Sequence, residues 1–346
     1  MSLAPLGITC GDPGGVGPEI VARSLASATS NSKVVIYGDA DILSQQLTKA
    51  GVPGERWVVV ESLSHFSTAT PPLVSIGLVH VGEWGDEARR HEASAAGGEA
   101  QYRCLQRALA DAKAGSLRGL VTGPMSKEAV NLAGHEFVGH TEFLAAGCGL
   151  ADDDVTMMFL GPRLRVALVT THLAVRAVPD AITPVRVARS ARHLGEALLQ
   201  LDGPSRPRGI ELLVTGLNPH AGEHGLFGDE DRLAIAPGIE QARAHPPFSA
   251  GLLQLRGPVP AETAIRMAAA GDVAGVVTMM HDQATIASKA LDWGSAVNVT
   301  WGLPFVRTSV DHGVGYDAAR SGQVDAQGML SALLMAEQLT CAAALD

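Results

Sequence analysis

The sequence has 346 residues, 46% of them hydrophobic, which is enough to bury a core spanning two domains. Its formal net charge of -10 argues against nucleic acid as a partner. The four cysteines form no C-x-x-C pair, the N-terminus lacks the features of a signal peptide, and no apolar run reaches about 18 residues, so we expect a cytoplasmic protein that does not bind membranes.

Apolar runs rich in Val, Ile and Leu alternate along the chain with alanine- and leucine-rich segments of helical spacing. The runs, each typical of a buried strand, are Val34–Tyr37, Leu120–Thr122, Val166–Val169, Ile210–Val214 and Val276–Met280. The segments with helical spacing are 99–114, 185–201 and 329–344. This alternation predicts an α/β fold with largely parallel sheets.

A glycine-rich stretch, Gly11-Asp-Pro-Gly-Gly-Val-Gly-Pro-Glu, follows the short apolar start of the chain and leads into a predicted helix. Such a turn can bring backbone close to a ligand. Its spacing differs from G-x-G-x-x-G, so it does not predict a Rossmann site, and an ordinary tight turn remains the alternative.

Three histidines, His172, His220 and His281, each follow closely on a different apolar run. The carboxyl ends of parallel strands face the ligand crevice of an α/β sheet, so these imidazoles can converge. Three neutral imidazoles with an open position would suit a divalent metal that acts as a Lewis acid. The alternative for each is a strand-end histidine that a backbone carbonyl satisfies.

A further set of side chains could bind an anionic substrate. Its members are Lys289, Asn298 and Arg307, together with His140 and Thr141 upstream. Taken alone, the two cations would more often be solvated surface residues. Arg307, however, lies in the apolar stretch Leu303-Pro-Phe-Val-Arg, where a guanidinium without a partner would be costly, so we expect an anionic partner for it.

The segment Asp311-His-Gly-Val-Gly-Tyr-Asp-Ala-Ala combines glycines with polar side chains. A segment of this kind can wrap an adenosine, although an ordinary loop explains it equally well. The chain has no G-x-S-x-G, P-loop or H-E-x-x-H motif, which disfavours serine hydrolase, NTPase and zinc protease chemistry.

Taken together, these motifs resemble the 4-hydroxythreonine-4-phosphate dehydrogenase family of pyridoxal phosphate biosynthesis. The most specific are Gly139-His-Thr-Glu, Thr171-His-Leu, Gly216-Leu-Asn-Pro-His-Ala-Gly-Glu, His281-Asp-Gln and Gly302-Leu-Pro-Phe-Val-Arg-Thr-Ser-Val-Asp-His-Gly. The resemblance implies that His172, His220 and His281 bind a divalent metal (zinc, magnesium or cobalt). It also implies that His140, Thr141, Lys289, Asn298 and Arg307 bind the substrate. No general base is assigned.

The resemblance further implies two α/β domains with an active-site cleft between them, as in the isocitrate and isopropylmalate dehydrogenases. We expect one domain over 1–130 plus 300–346, with the nucleotide-binding loop, and the other over 131–299, with the metal and dimer-interface elements. Asp311, His312, Gly313 and Asp317 resemble the adenosine-binding H-G-x-x-x-D segment of those enzymes, which implies NAD or NADP. A homodimer with shared active sites is also implied.

The implied reaction is the metal-dependent oxidation of 4-hydroxythreonine 4-phosphate by NAD or NADP, with decarboxylation to 1-amino-3-phosphooxyacetone. Glu262 stands where the family usually has Asp in P-A-D-T, and Arg320 stands where Gly is expected. These departures keep open the same reaction on D-threonate or D-erythronate 4-phosphate. A phosphotransacetylase-like acyltransferase and a non-catalytic binding protein are further alternatives.

Overall fold

A computed structural model describes residues 3–28, 32–61, 63, 66, 74–203 and 210–342. The strands are β1 Leu6–Thr9, β2 Val34–Gly38, β3 Trp57–Val59, β4 Ile76–His80, β5 Gly119–Thr122, β6 Thr156–Leu160, β7 Arg165–Leu168, β8 Ile210–Thr215, β9 Leu253–Val259, β10 Gly275–Thr278, β11 Val297–Trp301 and β12 Val306–Ser309. The helices are α1 Gly17–Ser27, α2 Ala40–Lys49, α3 Ala95–Lys113, α4 Lys127–Leu132, α5 His140–Gly147, α6 Val178–Ala181, α7 Pro184–Asp202, α8 Ala236–Arg243, α9 Pro246–Ser249, α10 Ala261–Ala269, α11 His281–Asp292, α12 Tyr316–Ser321 and α13 Gln327–Ala342.

The sequence accounts for the ends and the buried face of the long helix α7. The hydroxyl of Thr183 accepts a hydrogen bond from the amide of Arg186 at 3.3 Å, and Pro184 occupies the first helical position, where its missing N–H costs nothing. The helix ends at Gly203, whose φ of 65° lies in the left-handed region. Its buried face includes Val187, Ala191, Leu194 and Leu198, at helical spacing.

The chain divides into two compact units, residues 1–150 with 303–341 (unit 1) and residues 151–302 with 342–346 (unit 2). The segment 131–150, which the predicted boundaries assigned to the second domain, belongs to unit 1. In unit 1 the strand order is β3-β4-β2-β1-β5-β12, and all of these neighbours pair in parallel. In unit 2 the order is β11-β6-β7-β10-β8-β9, with β6 antiparallel to both β11 and β7 and the remaining neighbours parallel.

The predicted α/β fold is therefore confirmed, and each predicted strand falls on an observed one: β2, β5, β7, β8 and β10. These strands are almost entirely buried, which explains their continuous apolar runs. Within the described residues, no helix has both the length and the apolar character needed to cross a bilayer.

Candidate active-site residues

Two of the three candidate metal ligands lie side by side at one edge of the sheet of unit 2. Strands β7 and β10 are parallel neighbours, with Leu168 opposite Thr278. The pairing continues past the strand ends, because the amide and the hydroxyl of Thr170 both donate to the carbonyl of Met279, at 3.2 and 2.7 Å. His172 and His281 follow directly, and their ring centroids are 5.3 Å apart. The strand pairing thus brings together residues 109 positions apart in the sequence.

The orientation of His281 is set by its neighbour in the motif. Its Nδ1 lies 2.8 Å from the Oδ1 atom of Asp282 and 3.4 Å from the hydroxyl of Thr285. Because a carboxylate can only accept, this contact assigns the proton of a neutral ring to Nδ1 and leaves the lone pair on Nε2. A carboxylate that fixes the tautomer of a histidine in this way is a common feature of metal-binding histidines.

The third histidine, His220, follows β8, which is the other parallel neighbour of β10. Residues 220–224 all have positive φ, including the non-glycine residues His220 (54°) and Glu223 (41°). A run of left-handed residues is unfavourable and persists only where its surroundings enforce it. The turn borders a cavity of ≈ 520 Å³, which is also lined by Arg232 and Pro260.

The buried carboxylate of Asp231 holds the segment that leads into this left-handed turn. It accepts hydrogen bonds from the amide of Leu217 at 2.9 Å, from the amide of Asn218 at 3.3 Å and from the Asn218 side chain at 2.9 Å. Gln283 of the His281-Asp-Gln motif also fixes this region, because its Nε2 donates to the carbonyl of Gly216 at 3.1 Å while its Oε1 accepts from the amide of Met279 at 2.9 Å. The ends of β8 and β10 are thereby tied together.

Within the residues that the structure describes, no three His, Cys, Asp or Glu side chains form a group able to hold a metal ion. The ring of His220 instead contacts Phe227, at 6.3 Å between centroids. The structure therefore brings His172 and His281 together and places His220 after an adjacent strand. The three-histidine metal site itself stays a prediction.

Unit 1 contains three of the predicted substrate-binding residues: His140, Thr141 and Arg307. Arg307, on β12, is 3% exposed, and its Nε and Nη2 donate to the hydroxyl of Thr122 at 3.1 and 2.7 Å. Burial lowers the pKa of Arg307 to about 10, and the negative charge of Glu142 opposes that shift. The guanidinium is thus cationic at neutral pH, and the negative charge of Glu142 favours that cationic form.

His140 begins helix α5, and its imidazole lies in an unusual electrostatic environment. Burial, and then the positive charges of Arg307 and Lys127, hold the pKa of His140 well below its usual range. The ring is therefore neutral at physiological pH. Its buried Nε2 atom has no hydrogen-bond partner among the described residues, which is a rare state for a buried polar atom.

The remaining two predicted substrate-binding residues, Lys289 and Asn298, belong to unit 2. Lys289 is exposed on α11, about 12 Å along the helix axis from His281 at the usual rise per residue. Asn298 lies on β11, and its Oδ1 atom is buried without a hydrogen-bond partner in the described part of the chain. Orphaned polar atoms thus occur on two of the five side chains that the sequence indicated, one in each unit.

The predicted adenosine-binding residues form an exposed segment of unit 1. Asp311, His312 and Gly313 follow β12, and Asp317 lies in α12. The Nδ1 atom of His312 is 2.9 Å from the carbonyl of Gly313, and Asp317 forms an ion pair with Arg320 at 2.9 Å. Arg320, which follows this segment in the sequence, therefore contacts one of its residues directly.

The glycine-rich turn packs against the chain's own backbone. A Cβ atom on Gly14 would lie 2.0 Å from the carbonyl oxygen of Arg90, and one on Gly15 would lie 2.3 Å from the side chain of Val314. The glycines at these positions thus make room for neighbouring segments. The alternative of a structural turn, left open by the sequence, is the one that these contacts favour.

Sequence reasoning singled out neither Asp231 nor Thr122, which support the predicted residues through hydrogen bonds. Asp231 lies eleven residues after His220 in a polar stretch, and Thr122 ends an apolar run. The residues around each position do not indicate its role, because the hydrogen-bond partner of each lies elsewhere in the sequence.

A family model for the pyridoxal phosphate biosynthetic protein PdxA matches residues 30–336. The chain belongs to this family. Among its PdxA relatives, a 4-hydroxythreonine-4-phosphate dehydrogenase from Desulfosudis oleivorans is 39% identical over 97% of this chain and 96% of its own length. A D-threonate 4-phosphate dehydrogenase from Salmonella typhimurium is 35% identical over 98% of this chain and 100% of its own length.

Solved structures agree with this assignment. The crystal structure of 4-hydroxythreonine-4-phosphate dehydrogenase from Klebsiella pneumoniae matches with a TM-score of 0.79 and 32% identity, covering 97% of this chain and 99% of that one. An isocitrate dehydrogenase from Methylococcus capsulatus shares the fold alone, at 12% identity and a TM-score of 0.50. The PdxA family, the isocitrate dehydrogenase-like fold and the dehydrogenase class predicted from the sequence are confirmed. A dehydrogenase of this kind implies a nicotinamide cofactor.

Proposed function

We propose that this chain is a metal-dependent, NAD- or NADP-linked dehydrogenase that oxidises 4-hydroxythreonine 4-phosphate and decarboxylates the product to 1-amino-3-phosphooxyacetone. The observation that carries the proposal is the position of His172, His220 and His281, each following one of three adjacent parallel strands of unit 2. They occur in a PdxA chain whose relative from Desulfosudis oleivorans, 39% identical, is named for this substrate.

The proposed reaction has two stages. The secondary hydroxyl of the substrate loses its proton to a base while its carbon loses hydride to NAD⁺ or NADP⁺, and a ketone results. The ketone is then β to the carboxylate, so the bond between the carboxylate carbon and the α-carbon that lies between the two groups breaks, carbon dioxide leaves, and a proton adds to that α-carbon. The electron pair of the broken bond passes through an enolate, whose negative charge must be stabilised.

The histidines have the donor chemistry that a divalent cation such as zinc, cobalt or magnesium would need. The ring centroids of His172 and His281 are 5.3 Å apart, and the contact of Asp282 with Nδ1 of His281 leaves the Nε2 lone pair of that ring available. A cation held there would supply Lewis-acid polarisation of the substrate's oxygen atoms. Imidazole donors favour zinc or cobalt over magnesium, which prefers oxygen ligands.

The anionic groups of the substrate fit the remaining predicted residues. Arg307 offers a charged, planar guanidinium that Thr122 already holds in place. His140 is neutral, so its ring can donate one hydrogen bond and accept another without adding charge. The Nε2 atom of His140 and the Oδ1 atom of Asn298 each lack a partner in the described part of the protein, so a polar ligand group beside either atom would satisfy an unfavourable buried group.

A second candidate substrate is D-threonate 4-phosphate, and D-erythronate 4-phosphate is a close variant of it. The Salmonella typhimurium relative named for D-threonate 4-phosphate is 35% identical to this chain over its full length. Glu262 and Arg320 stand where the biosynthetic enzymes usually have Asp and Gly, which keeps this alternative open. The substrates share the 4-phosphate, the carboxylate and the secondary hydroxyl, so the same residues would serve each.

The proposed active form is a homodimer in which both chains contribute to each site. Exposed apolar side chains flank the histidines of unit 2: Val175 is 76% exposed near His172, and Ile286 is 68% exposed on α11 beyond His281. Large apolar side chains that are exposed can mark a protein interface, and symmetric dimers are the commonest soluble oligomers. A second chain could also supply the ligand that completes a metal site.

The experiment that tests this function is a substrate panel with the purified protein, each divalent metal and NAD⁺ or NADP⁺. We expect reduced nicotinamide and carbon dioxide in equal amounts with 4-hydroxythreonine 4-phosphate, or with D-threonate or D-erythronate 4-phosphate if the alternative holds. The unphosphorylated acids serve as controls. Acyl transfer from acetyl phosphate to coenzyme A without any hydride transfer, or metal binding without turnover, would contradict the proposal.

A further inference from the structure

The carboxyl group of Asp12 is buried in the glycine-rich turn and joins segments that are far apart in the chain. Asp12 is 1% exposed. It accepts hydrogen bonds from the amide of Gly14 at 2.8 Å, from Nε2 of Gln101 at 2.9 Å and from the hydroxyl of Tyr316 at 2.8 Å. The Oε1 atom of Gln101 in turn accepts a hydrogen bond from the amide of Ser126 at 2.8 Å. The proposed active-site chemistry uses none of these groups.

A carboxyl group in this position is costly. Burial raises the pKa of Asp12, while the hydrogen bonds from Gly14, Tyr316 and Gln101 act to lower it. Removing a carboxylate from water is unfavourable unless hydrogen bonds compensate, and a well-packed apolar group would carry no such penalty. Three donors from three separate segments converge on this one group, which indicates that its role is to fix those segments relative to one another.

One of the three segments is the predicted adenosine-binding loop, residues 311–317. The loop is largely exposed, and the hydrogen bonds near its C-terminal end include the following three. The carbonyl of Val314 accepts the amide of Val16 at 2.9 Å, Arg320 donates to the carbonyl of His91 at 2.8 Å, and Tyr316 donates to Asp12. The Arg320 contact is solvent-exposed, whereas the acceptor of the Tyr316 bond is buried, so water competes less for the bond to Asp12.

We propose that Asp12 and Tyr316 are positioning residues for the nucleotide cofactor: their hydrogen bond holds the 311–317 loop in the conformation that binds it. The inference rests on the proposed function, because it takes the loop as the cofactor site. Neither side chain needs to contact the nucleotide. Loss of the bond would leave the loop ordered in only a fraction of molecules, and the dissociation constant rises as the inverse of that fraction.

The test is a titration of the protein with NADH or NADPH, followed by nucleotide fluorescence in the absence of substrate. Tyr316→Phe removes one hydroxyl and keeps the ring, and we expect the dissociation constant to rise about tenfold, as for a loop ordered in about a tenth of molecules. In turnover assays the KM for the cofactor should rise likewise, with kcat at saturating cofactor within about twofold of wild type. Asp12→Asn should shift the same constant in the same direction.

Tyr37→Phe is the matched control. The hydroxyl of Tyr37 also donates to a carboxylate of unit 1, Asp111, at 2.9 Å, but on strand β2. We expect this variant to lose thermal stability and to keep the wild-type affinity for the nucleotide. Equal affinity in Tyr316→Phe and wild type would overturn the inference, as would an equal loss in Tyr37→Phe. A wild-type protein that binds neither nucleotide would overturn the proposed function itself.

Discussion

Arg307 is a buried cation whose orientation is fixed by a threonine. Its side chain is almost completely buried, and it donates twice to one threonine hydroxyl, so the planar group cannot rotate freely. Its pKa of about 10 leaves it charged at neutral pH despite burial. A neutral histidine, His140, lies in its electric field. The pair therefore presents one fixed charge and one uncharged hydrogen-bonding group.

We predict that Arg307→Lys lowers kcat/KM by roughly 10- to 100-fold, because loss of a charge-assisted contact costs about 1.5–3 kcal/mol. The hydroxyl of Thr122 accepts hydrogen bonds from two N–H groups of one planar guanidinium, and an ammonium group cannot reproduce that arrangement. Lys289→Ala should fall in the same range. The matched control is Arg256→Lys, since Arg256 forms an exposed ion pair with Glu211 and should tolerate the change. Wild-type kinetics in both Arg307→Lys and Lys289→Ala would refute the assignment.

At the scale of a single element, helix α7 contains a buried histidine, His193, whose protonation at mildly acidic pH should destabilise the folded protein. His193 is 4% exposed. Its Nε2 lies 3.1 Å from a guanidinium nitrogen of Arg192, so Nε2 accepts, and Nδ1 donates to the hydroxyl of Thr156 at 2.9 Å. Burial, followed by the charges of Arg192 and Arg189, lowers the pKa of His193 to about 3. The folded protein thus requires the neutral ring.

The sign of the pH effect follows from this depressed pKa. Below pH of about 6.5 the unfolded chain binds a proton at His193 that the folded chain refuses, so the free energy of unfolding falls as the pH falls, until about pH 3. Between pH 7.5 and 5.0 this group alone should remove about 2 kcal/mol, at about 1.4 kcal/mol per pH unit below 6.5.

Urea unfolding of wild type and His193→Asn at pH 7.5 and 5.0 measures that contribution. The asparagine keeps a donor for Thr156 and cannot take up a proton in this range. We expect the variant to be less stable at pH 7.5 and to lose about 2 kcal/mol less than wild type on acidification. The same loss in both proteins would contradict the interpretation.

At the scale of the whole molecule, the proposed homodimer predicts that defective subunits can complement one another. Single alanine variants of His172, His220 and His281 should each lose bound metal and activity. If two histidines of each site come from one chain and the third from its partner, subunit exchange between two variants can rebuild one intact site per mixed dimer.

We expect two of the three pairwise mixtures to regain about a quarter of wild-type activity, since about half of the dimers are mixed and each holds one intact site. The mixture that stays inactive would identify the two histidines that share a chain. The measurement is turnover together with bound metal, after mild denaturation and refolding of each mixture. A dimer without any complementation would place all three histidines in one chain, and a fully active monomer would contradict the dimer itself.

The sequence by itself determined the fold class, the family and most of the candidate site residues. Periodicity is a local property, so the buried strands β2, β5, β7, β8 and β10 could be recognised from continuous apolar runs, and α7 from its spacing. The order of the family motifs was equally visible. Strand β3 has only three residues, and the seven-residue β9 contains Gly257 and Pro258, so neither carries a pattern strong enough to be recognised in this way.

Only the tertiary structure decided which strands are neighbours, because pairing depends on contacts between residues far apart in the chain. It set β6 antiparallel to both β7 and β11, and it brought His172 within 5.3 Å of His281. It also showed that glycines of the glycine-rich turn make room for Arg90 and Val314, which approach them closely. Asp12 and Tyr316 lie 304 residues apart, so no local sequence pattern can predict the hydrogen bond between them.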